Sequence, residues 1–274
     1  MSGEGNFSVA LVGAGNMGGA MLGGWLRDGV AGDRITVVDP SPPPQMAKLI
    51  SDNNVRHIKS ASDDAASVAD IVVLAVKPQI LDLVVGEISP LVGSDTVVVS
   101  VAAGKTIKSI CAGVGEIACI RAMPNTPALI GRGITVGFAN DLVSEVQRAQ
   151  VDRLLRATGS VAWVDEERLI DSVTAVSGSG PAYAFYLAEC MAAAGVAAGL
   201  SPELALQLAR ETVAGAGELM MQSEHDPAQL RKNVTSPNGT TAAALDVLMA
   251  DDGLRPLMLA AIRAAKKRSE ELSL

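Results

Sequence analysis

The stretch "VALVGAGNMGGAM", Val9 to Met21, joins a run of apolar residues to the pattern Gly13-x-Gly15-x-x-Gly18, which opens a helix. Each glycine has a mechanical task in a strand–turn–helix unit. Gly13 makes the tight turn, Gly15 lets the backbone approach a pyrophosphate, and Gly18 lets the helix lie close on the strand. The helix N-terminus then offers free N–H groups and the positive end of its dipole to phosphate. Val12, Gly13, Ala14, Gly15, Asn16, Met17 and Gly18 are therefore the expected phosphate turn of a dinucleotide site.

Four further apolar runs follow: "RITVVD" (Arg34 to Asp39), "DIVVLAV" (Asp70 to Val76), "TVVVSV" (Thr96 to Val101) and "IACIR" (Ile117 to Arg121). Strands covered on both faces read this way, as in parallel sheets. Helical stretches of about 10 to 15 residues separate most of them, the spacing of an α/β doubly wound sheet. After about Val164 the strand pattern stops. Ser201 before Pro202, and Asp226 before Pro227, read as N-caps with proline at the first helical position. Further helices are expected from Pro181 to about Ala198 and from about Arg255. The expectation is a Rossmann-type dinucleotide-binding domain over residues 1–164, followed by an all-α domain over 165–274.

The chain has 274 residues, 49% hydrophobic but only 3% aromatic, so small residues dominate its apolar content. Alanine and glycine let helices approach closely, which fits interlocked helix pairs or a tight oligomer. A formal net charge of −8 argues against nucleic acid, whose phosphates call for basic stripes. No apolar run approaches the ~18 residues of a membrane span. The start "MSGEGNFS" has no basic patch leading into an apolar run, so no signal peptide is expected. Cys111, Cys119 and Cys190 form neither a disulfide framework nor a metal pattern, and two histidines argue against a metal enzyme. A soluble cytoplasmic protein without metal is the reading.

Ligands of such sheets bind beyond the carboxyl ends of the strands. Asp39 ends the second strand, where a carboxylate usually holds the adenosine ribose hydroxyls and repels a 2′-phosphate. The nearest cations in sequence, Arg34 at the strand's start and Lys48, give little counter-charge, whereas Ser41 could donate to a phosphate. The balance favours NADH, or at least tolerance of it. "LAVKPQ" places Val76 and Lys77 at another strand end, where Lys77 could reach the cofactor or substrate. "SVAAGKT" supplies Ala102 and Gly104, and "RAMPNTP" supplies Asn125, as a rigid floor for a nicotinamide ring.

With the glycine turn, "AVKPQ", "MPNTPA", "SGSGPAYAF" (Ser177 to Phe185) and "QLRKNVTSPNGTTAAAL" (Gln229 to Leu245), the sequence resembles pyrroline-5-carboxylate reductase over nearly its whole length. The resemblance implies reduction of the cyclic imine of 1-pyrroline-5-carboxylate to L-proline with NADH or NADPH, in proline biosynthesis. It implies a C-terminal helical domain for dimerisation and substrate binding, and a homo-oligomer of at least a dimer, commonly a decamer. Carried over by position, Ser236, Gly239, Thr240 and Thr241 would line the substrate pocket, with the Thr241 hydroxyl toward the ring nitrogen. Glu224 and Glu167 match family positions near the active site. Three departures stand out: Asn238 replaces the first of two usual glycines, Ser62 replaces an asparagine near the ribose, and Asp39 falls where many relatives have Ser or Thr. Asn tolerates left-handed backbone angles, so the turn at Asn238 is expected to survive.

"TSPNGTT" contains no strong acid, and hydride addition to C=N does not demand one, because a protonated imine is already electrophilic. The remaining tasks are positioning and electrostatics. Backbone N–H groups at Gly239 and Thr240, with the Ser236 hydroxyl, lead into a helix expected near Thr241, a cradle for a carboxylate. Three rival readings remain: a hydroxyacid dehydrogenase, a reductase of another cyclic imine or ketimine, and a cofactor-binding sensor. The first needs a lysine from the helical domain, and none occurs between Lys108 and Lys232. "TSPNGTT" argues against the sensor, and the sequence separates the second poorly.

Overall fold

The computed structural model describes residues Phe7 to Ser273. Residues 1–6, on which most of the N-terminal "MSGEGNFS" reading falls, and residue 274 lie outside the described residues. The chain divides into two compact units: one up to Gly178 together with Ala265 onward, the other Ser179–Ala264.

The first unit is built on one eight-stranded sheet: β1 (Val9–Val12), β2 (Ile35–Val38), β3 (Arg56–Ile58), β4 (Ile71–Leu74), β5 (Val97–Ser100), β6 (Ala118–Met123), β7 (Gly133–Ala139) and β8 (Gly159–Trp163). The order is β3-β2-β1-β4-β5-β6-β7-β8. All neighbours are parallel except β6 and β7. Successive strand residues face opposite ways, as a pleated backbone requires. Val9 and Leu11 enter one core with Met21, Leu22 and Trp25 of α1 (Asn16–Arg27) and Leu154 of α5 (Glu145–Arg156). Ala10 and Val12 enter the other with Leu81 and Val85 of α3 (Pro78–Glu87) and Ile110 of α4 (Ile107–Val114). Helices on both faces make the sheet doubly wound, as expected. Another helix, α2 (Pro44–Asp52), follows β2.

Three strands escape the sequence reading, each for a physical reason. β3 is three residues long with Arg56 and His57 exposed, so it shows no apolar run. β8 lies at the opposite edge of the sheet and has no fully buried residue. β7 follows a 3₁₀ turn, Thr126–Ile130, and its GITVGFA is broken by Gly133, Thr135 and Gly137, so it shows no continuous apolar run.

No strand occurs after β8 among the described residues. The 164/165 division marks that change of pattern, but the compact units divide elsewhere. The short helix α6 (Leu169–Val173) and the π turn Thr174–Gly178 belong to the first unit, where Ile170 and Asp171 are buried.

The second unit contains α7 (Gly180–Ala197), α8 (Pro202–Gln222), α9 (Pro227–Asn233), α10 (Thr240–Leu248) and the start of α11 (Leu254–Leu272). Ser201 and Asp226 cap α8 and α9 by accepting the N–H groups of Leu204 and Gln229. Gly195 lies against Ala205, a close approach of α7 and α8 that larger residues would prevent. Yet α7 buries none of its residues, and α8 buries only Ala205 and Ala209. Phe185 is 68% exposed and Met221 70%. One copy of this unit leaves its large apolar side chains uncovered.

Candidate active site

The parallel strands β1, β2, β4, β5 and β6 present their carboxyl ends along one edge of the sheet. The order reverses between β1 and β4, the crevice where such sheets take dinucleotides. Gly13, at φ +95°, turns the chain out of β1 with its N–H on the Val38 carbonyl at 2.9 Å. A Cβ on Gly18 would lie 2.0 Å from the Gly13 oxygen, so only glycine allows α1 to close on the turn. At Gly15, the N-cap of α1, a Cβ would meet nothing within 4 Å. The space that a side chain would fill is left open beside a helix N-terminus without acidic residues in its first turn. These residues fit a pyrophosphate.

Asp39 is not a loosely solvated turn residue. Its Oδ2 accepts the Ala14 N–H at 2.8 Å and its Oδ1 accepts the Ser41 N–H at 2.8 Å. The carboxylate thus fastens the glycine turn to the end of β2. Each oxygen keeps a further lone pair for a ribose hydroxyl. Asp39 lines a cavity of about 430 Å³ together with Val12, Gly13 and Val76, all four expected at the cofactor. A second cavity, of about 450 Å³, takes in Ala14, Gly15 and Asn16.

The first cavity also contains Lys59 and Ser60, which sequence reasoning missed. They follow β3, and β3 pairs with β2 so that Ile58 lies beside Val38. Ser62, expected near the ribose, shares a hydroxyl–hydroxyl bond of 2.9 Å with Ser60. The signal for Lys59 would have been the strand order: the residue after the third strand of such a sheet emerges beside the residue after the second.

Other expected residues are placed as follows. Lys77, exposed, is the N-cap residue of α3 beyond β4. Ala102 is buried just past β5, and Gly104 has φ +68°. A Cβ on Gly104 would stand 2.7 Å from that of Leu272, so the C-terminal segment packs on this loop. Asn125 spends its amide on the fold: Oδ1 accepts the Ile134 N–H at 3.0 Å and Nδ2 donates to Ser177 at 3.4 Å.

Glu167 is likewise engaged within the first unit. Its Oε1 accepts the Ile107 N–H at 2.8 Å and lies 3.5 Å from Arg121 Nη1. Arg121, 2% exposed on β6, pairs through Nη2 with Asp171 at 3.1 Å, and Ser269 donates to that same Asp171 oxygen at 2.7 Å. The Arg121 Nε is buried without a hydrogen-bond partner. Nearby on β6, burial pushes the Cys119 thiol far up, with Cys111 and Glu167 adding to it, so Cys119 is no nucleophile.

In the second unit, the turn between α9 and α10 takes the conformation the sequence suggested. Asn238 has φ +58°, and the Gly239 N–H reaches the Ser236 carbonyl at 3.1 Å. A Cβ on Gly239 would lie 2.4 Å from the Ser236 hydroxyl oxygen. Gly239 is the N-cap of α10, which starts at Thr240, and no side chain caps it. First-turn N–H groups therefore stand open beside an exposed Ser236 and a half-buried Thr241. Glu224 is exposed in the α8–α9 turn.

Two family models match the chain: "NADP oxidoreductase coenzyme F420-dependent" over residues 8–104, and "pyrroline-5-carboxylate reductase dimerisation" over residues 167–272. The pyrroline-5-carboxylate reductase of Pseudomonas aeruginosa is 42% identical, over 97% of this chain and 96% of its own. Among solved structures, that of the Coxiella burnetii reductase matches with a TM-score of 0.91 at 36% identity, covering 98% of this chain and 99% of its own. The Plasmodium falciparum pyrroline carboxylate reductase, solved with NADP bound, matches with a TM-score of 0.83 at 29% identity, covering 99% of this chain and 100% of its own.

Proposed function

The chain belongs to the pyrroline-5-carboxylate reductase family, and on that premise we propose how its own residues reduce 1-pyrroline-5-carboxylate to L-proline with NADH or NADPH. The observation that carries the reading is that each unit has an N-terminus without a competing side-chain cap, α1 behind its glycine turn in the first and α10 behind "TSPNGTT" in the second. The first suits a dinucleotide pyrophosphate and the second the carboxylate of a small acid.

The bound nicotinamide supplies the hydride. For the acceptor, Ser236 and the N–H groups of Gly239 and Thr240 hold the substrate carboxylate, which fixes where the imine carbon lies. Thr241 hydrogen-bonds the ring nitrogen and orients the ring, and the substrate brings its own proton as the iminium ion. Val12 through Gly18, Asp39, Ser41, Val76 and Lys77 serve the dinucleotide, with Ala102 and Gly104 as floor. Asn125 and Glu167 support this site from behind, through the bonds described above, and Ser62 acts through Ser60. Glu224 balances the iminium charge. No residue is assigned to a metal.

Residues 1–164 form the functional dinucleotide domain in this reading, and 165–274 the substrate-binding and dimerisation domain. The chain is a homo-oligomer, which fits the uncovered apolar side chains of α7 and α8. Dimers assembling further into decamers, with the active site near the subunit interface, are the finer proposal. No helix among the described residues is long and apolar enough to cross a membrane, and a cytoplasmic location is proposed. The test is NADH and NADPH oxidation with pyrroline-5-carboxylate and with two cyclic imines of other ring size or substitution. A clear preference for pyrroline-5-carboxylate supports the reading, and equal or better turnover of another imine contradicts it.

A further inference from the structure

Asp39 alone would make the adenosine end of the site hostile to a 2′-phosphate, but it is not the only charge there. The Asp39 N–H donates to the Ile58 carbonyl at 3.1 Å, so the chain leaves β2 and β3 side by side at the carboxyl edge. The next residue on β3's side is Lys59, which lines the same cavity as Asp39. Among the described residues no ion pair or hydrogen bond engages its ammonium, although Asp39 and Glu87 share the lining. The Asp39 oxygens are committed to two backbone N–H groups, which hold them at the glycine turn. Ser60, in the same lining, adds a hydroxyl.

We propose that Lys59 determines cofactor specificity by taking the 2′-phosphate of NADPH, in opposition to Asp39. A 2′-phosphate carries a charge of about −1.5 to −2 and three acceptor oxygens. An unpaired ammonium beside a hydroxyl matches it, and the adenine can lie on the apolar part of the cavity formed by Val76, Ile80 and Val84. NADH, lacking the phosphate, keeps the carboxylate contact. The two side chains thus set the ratio of cofactors between them. The inference rests on the dinucleotide site proposed above.

The test compares adenosine 2′,5′-bisphosphate with 5′-AMP by calorimetric titration of the full-length wild type, Lys59→Gln and Lys59→Arg. Lys59 is exposed, so neither substitution disturbs the core. The affinity ratio of bisphosphate to 5′-AMP is expected to fall by about fivefold or more in Lys59→Gln, the scale of a charge-assisted contact at a partly exposed site. Lys59→Arg should retain the ratio, and kcat/KM for NADPH over NADH should follow the same order. A smaller fall in Lys59→Gln, or equal weakening of both nucleotides, overturns the proposal. If Lys59→Gln loses the discrimination while the wild type fails to reduce pyrroline-5-carboxylate, the reductase reading fails and the role of Lys59 stands. If the wild type reduces it and discrimination is unchanged in Lys59→Gln, only the role of Lys59 fails.

Discussion

The carboxylate of Asp39 accepts the backbone N–H of Ala14 at 2.8 Å, across 25 residues of chain. One side chain therefore both positions the glycine turn and lines the cavity proposed for the adenosine ribose. Asp39→Ser should shift the ratio of kcat/KM values toward NADPH by about tenfold, equivalent to roughly 1.4 kcal/mol. Because the strut is lost as well, affinity for both cofactors should drop. Steady-state kinetics with each cofactor checks this, and an unchanged ratio would show that the carboxylate acts only as a strut.

Arg121 is a buried cation of the first unit, held between Asp171 and Glu167. Arg121→Leu would leave the Asp171 carboxylate buried with only hydroxyl donors, at a cost of about 3–5 kcal/mol. Urea denaturation at fixed protein concentration measures it. A loss below about 1 kcal/mol, little more than an exposed pair is worth, would mean that water replaces the pair without penalty.

The sequence made some of this structure legible and hid the rest. The strand of Val9–Val12 is apolar on both faces and precedes a glycine pattern with one mechanical meaning, so the sheet and its glycine turn could be read directly. The turn at Asn238 could be expected because Asn tolerates left-handed angles where the resemblance implies a glycine, and its φ is +58°. Lys59 could not, since its place depends on β3, whose three residues carry no apolar period. Glu167 and Asn125 were expected at the site from the resemblance and a strand end, but their bonds to Ile107, Arg121, Ile134 and Ser177 span up to 60 residues of sequence and leave no local trace. The pairing of Gly104 with Leu272 is hidden for the same reason.

Thr241, half-buried in the first turn of α10, is the hydroxyl assigned to the ring nitrogen. A hydrogen bond to a charged group contributes roughly 1.5–3 kcal/mol, or about 10- to 150-fold in rate when it acts in the transition state. Thr241→Ala should lower kcat on that scale while cofactor affinity stays near wild type. Wild-type turnover in the folded variant would remove Thr241 from the mechanism.

The exposed Phe185, Tyr186 and Met221 of α7 and α8 need cover that one copy does not provide. Light scattering should find a dimer or a larger assembly at all concentrations that retain activity. A stable, fully active monomer would contradict it.

The most direct measurement follows the hydride itself. Pyrroline-5-carboxylate is incubated with the chain and nicotinamide cofactor deuterated at the transferring position, and the product is examined by mass spectrometry and chiral chromatography. L-Proline carrying one deuteron at the former imine carbon is the expected result, in ordinary water and without added metal. Unlabelled proline, or cofactor oxidation without proline, would contradict hydride transfer to this substrate.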